Sequence, residues 1–112
     1  MFIMLEAILG NATKERILFY LLTYGEGYAP EICRTFGVSL RPVQLQLENL
    51  EKRGVVVSWL KGRTRIYRFN PRYYFFKELT VLLEKAIEAM PREERQRYFM
   101  QRTRPRRAGK PL

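Results

Sequence analysis

Arg41, Gln44 and Leu45 bring three kinds of group into one short stretch, SLRPVQLQLENLEKRG, residues 39–54. A guanidinium offers a planar fork of donors, a carboxamide pairs donors with an acceptor, and a leucine presents bare hydrocarbon. Together these groups suit the base edges of a DNA major groove. Arginine can bond twice to guanine, glutamine twice to adenine, and an apolar side chain can touch a thymine methyl. Such chemistry requires the side chains to project from one exposed face near the front of a helix. At about 100° per residue, Val43, Leu47 and Leu50 gather as a core face. Arg41, Leu45 and Lys52 fall near the opposite side, with Gln44 and Glu48 on the flank. Leu40 stands directly in front and joins Arg41, Gln44 and Leu45 as a candidate base-reading residue. The bland alternative is a row of ordinary solvated side chains, and the neighbouring elements weigh against it.

Those elements follow from the punctuation of the chain. Asn11 is placed to cap a helix carrying Ile17, Leu18, Leu21 and Leu22 at helical spacing. YGEGY, residues 24–28, breaks it with two glycines. Pro30 opens a short helix, PEICRTFG, closed by Gly37, with Ile32, Cys33 and Phe36 inward. Ser39 is a natural N-cap for the next helix, 39–53, where Pro42 sits harmlessly in the first turn and Gly54 ends the run. The period then changes. VVVSWLKGRTRIYRFN reads as two strands, with Val55, Val57 and Trp59 alternating on one and Arg65, Tyr67 and Phe69 on the other. Lys61, Gly62 and Arg63 form the tip, and Asn70 with Pro71 stops the second strand. Two short helices across a glycine-containing turn, followed by a hairpin, make a helix-turn-helix with a wing. Lys61, Arg63 and Arg65 on the wing at 60–65, with Ser39 and Lys52 on the helix, are candidate phosphate contacts. Such contacts set affinity and salt dependence rather than sequence choice. Arg34, Arg53 and Arg68 are further candidates of the same kind.

The charge is distributed to match. The chain has 112 residues, a single-domain length, and a formal net charge of +10, with every acidic residue a glutamate. Residues 34–72 hold a net +7 and residues 91–112 a net +6, while the other segments are slightly acidic. A basic block and a basic tail point to a polyanionic partner. The absence of histidine excludes histidine catalysis and histidine metal ligands. A single cysteine excludes an internal disulfide and agrees with a reducing cytoplasm. GEG at 25–27 is a turn rather than a nucleotide motif, and no acidic pair stands in a recognisable catalytic setting, so neither an enzyme nor a cofactor is expected. The opening MFIMLEAIL contains Glu6 and is far short of a membrane span, so no membrane partner is expected either.

Residues 2–9 are apolar on nearly all sides and need cover, from the chain's own core or from a second subunit. A long helix over 73–90 carries Phe76, Leu79, Leu83, Ala86 and Met90 at +3, +4, +3, +4, the 3.5-residue seam of helices that pair. Packing on the parent domain and packing on a partner are both compatible with that spacing. The need to cover both segments favours a dimer interface of Phe2, Ile3, Leu5, Phe76, Leu79, Leu83, Ala86 and Met90. The organisation is then a mainly α domain with a small β-hairpin over 1–90, with 1–10 and 73–90 as dimerisation helices. A short helix after Pro91 and a proline- and arginine-rich tail, expected to be disordered when free, complete the chain.

With these elements in place, LGNATKERILFYLL, PEICRTFGVS, the 39–54 stretch and RGVVVSWLKGRTRIYRFNP together resemble the winged-helix transcriptional regulators of the ArsR type. The likeness covers about residues 9–72 plus a trailing helix, and lies in order, spacing and turn residues. It implies a homodimer, built from N- and C-terminal helices, that binds double-stranded operator DNA. It also implies that Ser39 begins the recognition helix, that Arg41, Gln44 and Leu45 face DNA, and that Lys61 to Arg65 form the wing. Metal-sensing members carry paired cysteines in the helix before the recognition helix, or His, Asp and Glu ligands near the C-terminus. This chain has only Cys33, with no His and no Asp. A metal site needs several ligands converging on one ion, so no metal is expected. Cys33 reads as a packing residue, with a thiol switch beside Arg34 as the alternative. Two other functional classes stay open. One is a winged-helix module that docks on a protein through its apolar ends. The other is an RNA or non-specific nucleic-acid binder led by the basic tail.

Overall fold

The computed structural model describes residues 4–99. Helix α1, Glu6–Leu9, is a single turn, and its start is held from below by a buried carboxylate. Glu15 accepts the backbone N–H of Met4 at 2.9 Å and that of Leu5 at 3.1 Å, one on each oxygen. Complete burial of Glu15 is tolerated because both oxygens find donors. Asn11 caps α2, Ala12–Tyr24, accepting the N–H of Lys14 at 2.6 Å as its position predicts.

Helix α2 is the hub of the molecule. Ile17, Leu18 and Leu21 are buried as expected, but so are Phe19 and Tyr20. The helix is therefore enclosed nearly all round rather than on one stripe. Helices α3, Ala29–Phe36, and α4, Leu40–Lys52, pack on each other and on it. Their turn is set by Gly37 at φ +68°, whose N–H bonds the Cys33 carbonyl at 2.7 Å. Ser39 occupies the N-cap position of α4 with extended backbone, but its hydroxyl makes no capping bond. Instead the buried Cys33 thiol donates to the Ser39 carbonyl at 3.4 Å.

Strands β1, Val56–Lys61, and β2, Thr64–Phe69, form an antiparallel hairpin in register from Val56 opposite Phe69 to Lys61 opposite Thr64. Lys61 thus belongs to the strand, and the turn is Gly62–Arg63. The inward face carries Val56 and Tyr67, while Val57 and Trp59, which alternate with Val55 in the sequence, lie on the other face. Val55 and Val56 are both buried, so the alternation starts one residue later than the sequence pattern implies. Trp59 lies on the outer face with the Arg68 guanidinium 5.3 Å from its ring centre. Gly27 adds one rung, exchanging two backbone bonds with Tyr67 at 2.8 and 3.0 Å. Only glycine fits there, because a Cβ would stand 2.5 Å from the Tyr20 ring.

Helix α5, Phe76–Ala89, lies against α2. Its seam is closed within the chain: Leu83, Ala86 and Met90 are buried, and Leu79 packs beside them half-buried. The segment after Pro91 returns to the same core through α6, Arg92–Glu94, and a π-helical turn, Arg95–Phe99. The Phe99 ring meets Phe19 edge-on at 5.6 Å, and the Tyr24 hydroxyl donates to the Tyr98 carbonyl. The packed unit therefore runs through Phe99 and not only to residue 90. No helix among the described residues is long and apolar enough to cross a membrane.

Candidate nucleic-acid interface

Helix α4 presents two faces as different as its sequence requires. Val43, Leu47 and Leu50 are at most 4% exposed, which orients the helix against α2 and α3. That burial turns Leu40, Arg41 and Leu45 outward, with Gln44 half-buried on the flank. Leu40 and Leu45 are 43% and 45% exposed although the core lies one helix radius away. The four candidate base-reading residues thus share the front and outer side of one rod, and none is enclosed by the chain itself. Ser39 and Lys52 are exposed at its two ends.

The wing stands beside the C-terminal end of α4, and a side-chain relay joins the two. The Arg65 guanidinium donates to the Ser58 hydroxyl at 2.9 Å, and that hydroxyl donates to the Glu51 carboxylate of α4 at 2.7 Å. Ser58 acts as donor and acceptor at once, so three elements are linked through one hydroxyl. Arg65, one pair below the turn, is therefore tethered to α4 through Ser58, while Lys61 and Arg63 stand exposed at the tip. The hairpin's root is clamped by Asn70, whose N–H bonds the Val55 carbonyl and whose amide bonds the Gly54 carbonyl, both at 2.9 Å. Among the further cations, Arg68 lies over Trp59 and Arg34 reaches the Tyr28 hydroxyl at 3.3 Å, while Arg53 is exposed at the C-cap of α4.

Leu60 is a residue that the sequence pattern does not single out. It stands 59% exposed on the wing, directly opposite Arg65. A leucine in a strand reads as core until the phase of the strand is known, and that phase depends on the paired burial of Val55 and Val56.

The expected subunit-contact residues divide differently. Phe2 and Ile3 lie outside the described residues. Leu5, Leu83, Ala86 and Met90 are buried in this chain's own core, and Phe76 and Leu79 are half-buried. A 3.5-residue seam fits a neighbouring helix of the same chain as well as a partner's. The apolar surface that remains is another set: Ile8 at 68% exposure, Val81 at 54%, and Phe75 and Leu82 nearby in sequence to Val81.

Burial pushes the Cys33 thiol up from its ordinary value, and the opposing pull of Arg34 is smaller. That environment favours the neutral thiol that bonds Ser39 over a reactive thiolate. Burial also raises the Tyr67 phenol, with Glu51 the next contribution in the same direction. Among the described residues, no three His, Cys, Asp or Glu side chains come together as a metal would need.

No protein-family model matches the sequence, and no curated protein matches it significantly. Comparison of folds does find similar solved structures. The antimony-specific transcriptional repressor AntR aligns over 82% of this chain and 78% of its own, with a TM-score of 0.60 and 24% identity. The YusO protein from Bacillus subtilis aligns over 77% and 67%, with a TM-score of 0.56 and 19% identity. The adhesin competence repressor AdcR from Streptococcus pyogenes aligns over 75% and 63%, with a TM-score of 0.57 and 11% identity. Together with the element order, these likenesses show that the chain has the winged helix-turn-helix fold.

Proposed function

We propose that this chain is a dimeric, sequence-specific DNA-binding transcriptional regulator of the ArsR type, with α4 in the major groove and the wing on phosphates or in the minor groove. The observation that carries the reading is the outward set Leu40, Arg41, Gln44 and Leu45 on a helix whose opposite face is fully buried. Polar and apolar side chains that match base edges stand there beside an exposed basic tip, Lys61 and Arg63. AntR and AdcR, two of the fold neighbours, are named as repressors, which agrees with the reading. The antimony of AntR is not carried over, because Cys33 is the one cysteine of this chain and neither His nor Asp is present.

Dimerisation is supported by the exposed apolar side chains of α1 and α5, Ile8, Val81 and Leu82, which a second copy would cover. The same surface favours the second reading, a winged-helix module that docks on a different protein. Light scattering separates the two: a stable dimer of the chain alone supports the regulator, and aggregation relieved by a co-expressed partner supports the module. The basic tail, on which a non-specific or RNA-binding reading would depend, lies outside the described residues.

The direct test is Arg41→Ala, assayed on a selected binding site and on random DNA at the same salt. The expected loss on the specific site is about 1–3 kcal/mol, or roughly 5- to 150-fold, with a much smaller loss on random DNA. Equal losses on both would remove the base-reading role.

A further inference from the structure

On the outer side of α3, away from α4, the wing and the C-terminal turn enclose an open cleft of about 1080 Å3. Its volume is in the range of small-molecule sites. One wall is aromatic: Tyr24, Tyr28, Phe36 and Tyr98 all border the cleft and are half-buried. The Phe36 and Tyr98 ring centres lie 5.3 Å apart, and the buried Tyr20 ring meets Tyr24 at 4.6 Å in a tilted pair. The opposite wall is the outer face of the wing. Ile66 forms its apolar base, buried although it is not part of the main core cluster, with Thr64 and Lys61 above it.

The polar groups are unevenly committed. The Glu31 carboxylate lies near the Tyr20 phenol, whose acidity is suppressed by burial first and by that carboxylate second. Of the two carboxylates at the cleft, Glu26 is the exposed one, at the rim. Three exposed cations also border the space: Arg34 on α3, Lys61 on the wing, and Arg97 in the C-terminal turn, whose guanidinium lies 5.4 Å from the centre of the Tyr98 ring. The lining therefore offers ring faces for stacking, an apolar base and cations on both walls, of which Arg34 and Lys61 stand on α3 and the wing.

We infer that this cleft binds a planar aromatic molecule carrying an anionic group, of about mononucleotide size. The ring stacks on the tyrosine and phenylalanine wall, and the anion is held between Lys61 and Arg34 by charge-assisted hydrogen bonds. A ligand so placed ties the wing to α3. If the chain binds DNA as proposed above, the ligand also competes with phosphate for Lys61, so the cleft is a site of regulation.

The experiment is calorimetric titration of the full chain, without DNA, with adenosine monophosphate, adenosine and 2-naphthoate. Binding of either anion at least tenfold tighter than adenosine supports the site, and the stronger of the two distinguishes a phosphate from a carboxylate ligand. Arg34→Gln and Lys61→Gln, both surface changes checked by circular dichroism, are each expected to weaken that anion about tenfold. Arg41→Ala is expected to leave it within twofold, so a failure of DNA reading and a failure of the cleft are told apart. Neither anion binding more tightly than adenosine, no binding of any of the three at millimolar concentration, or unchanged affinity in both Gln variants would overturn the assignment.

Discussion

Glu15 shows at the scale of one side chain how a charge is made compatible with the interior. It is fully buried, and each of its oxygens accepts a backbone N–H from the strap that leads into α1. Its place in the helical pattern of α2 gives no hint of this, because the donors come from residues ten and eleven positions earlier. Glu15→Gln keeps the shape but replaces one acceptor with an NH2 group facing a donor. The expected cost is about 1–3 kcal/mol of unfolding free energy, read from the urea midpoint, and an unchanged midpoint would mean that the strap carries no weight. Arg41 and Leu45, by contrast, were legible from sequence. Their outward direction follows from the wheel position of Val43, Leu47 and Leu50, which are buried as that pattern requires. Arg65 was legible as an exposed cation but not as a tethered one, since its tether to Glu51 passes through Ser58.

At the scale of elements, the helix limits were written in Asn11, Gly37 and Gly54, and the structure follows all three. What the sequence could not settle was phase and ownership. Two buried valines in succession, 55 and 56, hide which face of β1 is inward. The α5 seam fits an intramolecular neighbour and a partner equally well, and Leu83, Ala86 and Met90 went to the chain's own core. The wing gives this scale its own test. Lys61→Ala with Arg63→Ala is expected to flatten the slope of log K against log salt by about 2, near 0.9 for each phosphate no longer neutralised. Arg65→Ala is expected to flatten it less, because one of its donors is already engaged with Ser58. If the double variant binds all DNA with the parent's slope, the wing tip does not touch phosphate.

For the whole molecule, the outstanding feature is the closing of residues 91–99 onto α2, through Phe99 on Phe19 and Tyr98 on Tyr24. Those aromatics sit in a charged stretch that reads as a short trailing helix, so by sequence they look like an appendage. Their return explains why Phe19 is buried on what looked like the open side of α2, whereas Tyr20 beside it packs with Tyr24, Phe36 and Gly27. Ile8 on α1 and Val81 on α5 stay uncovered, and Val81→Glu is expected to convert a dimer to a monomer in light scattering with little change in helix content. A dimer that survives the change would place the interface elsewhere. The most direct measurement is selection of bound fragments from random double-stranded DNA at moderate salt, followed by sequencing. Two copies of α4 in successive major grooves are expected to enrich an inverted repeat with half-site centres about 10 base pairs apart. Fragments retained without any shared motif, or none retained at all, would contradict base reading by Arg41, Gln44 and Leu45.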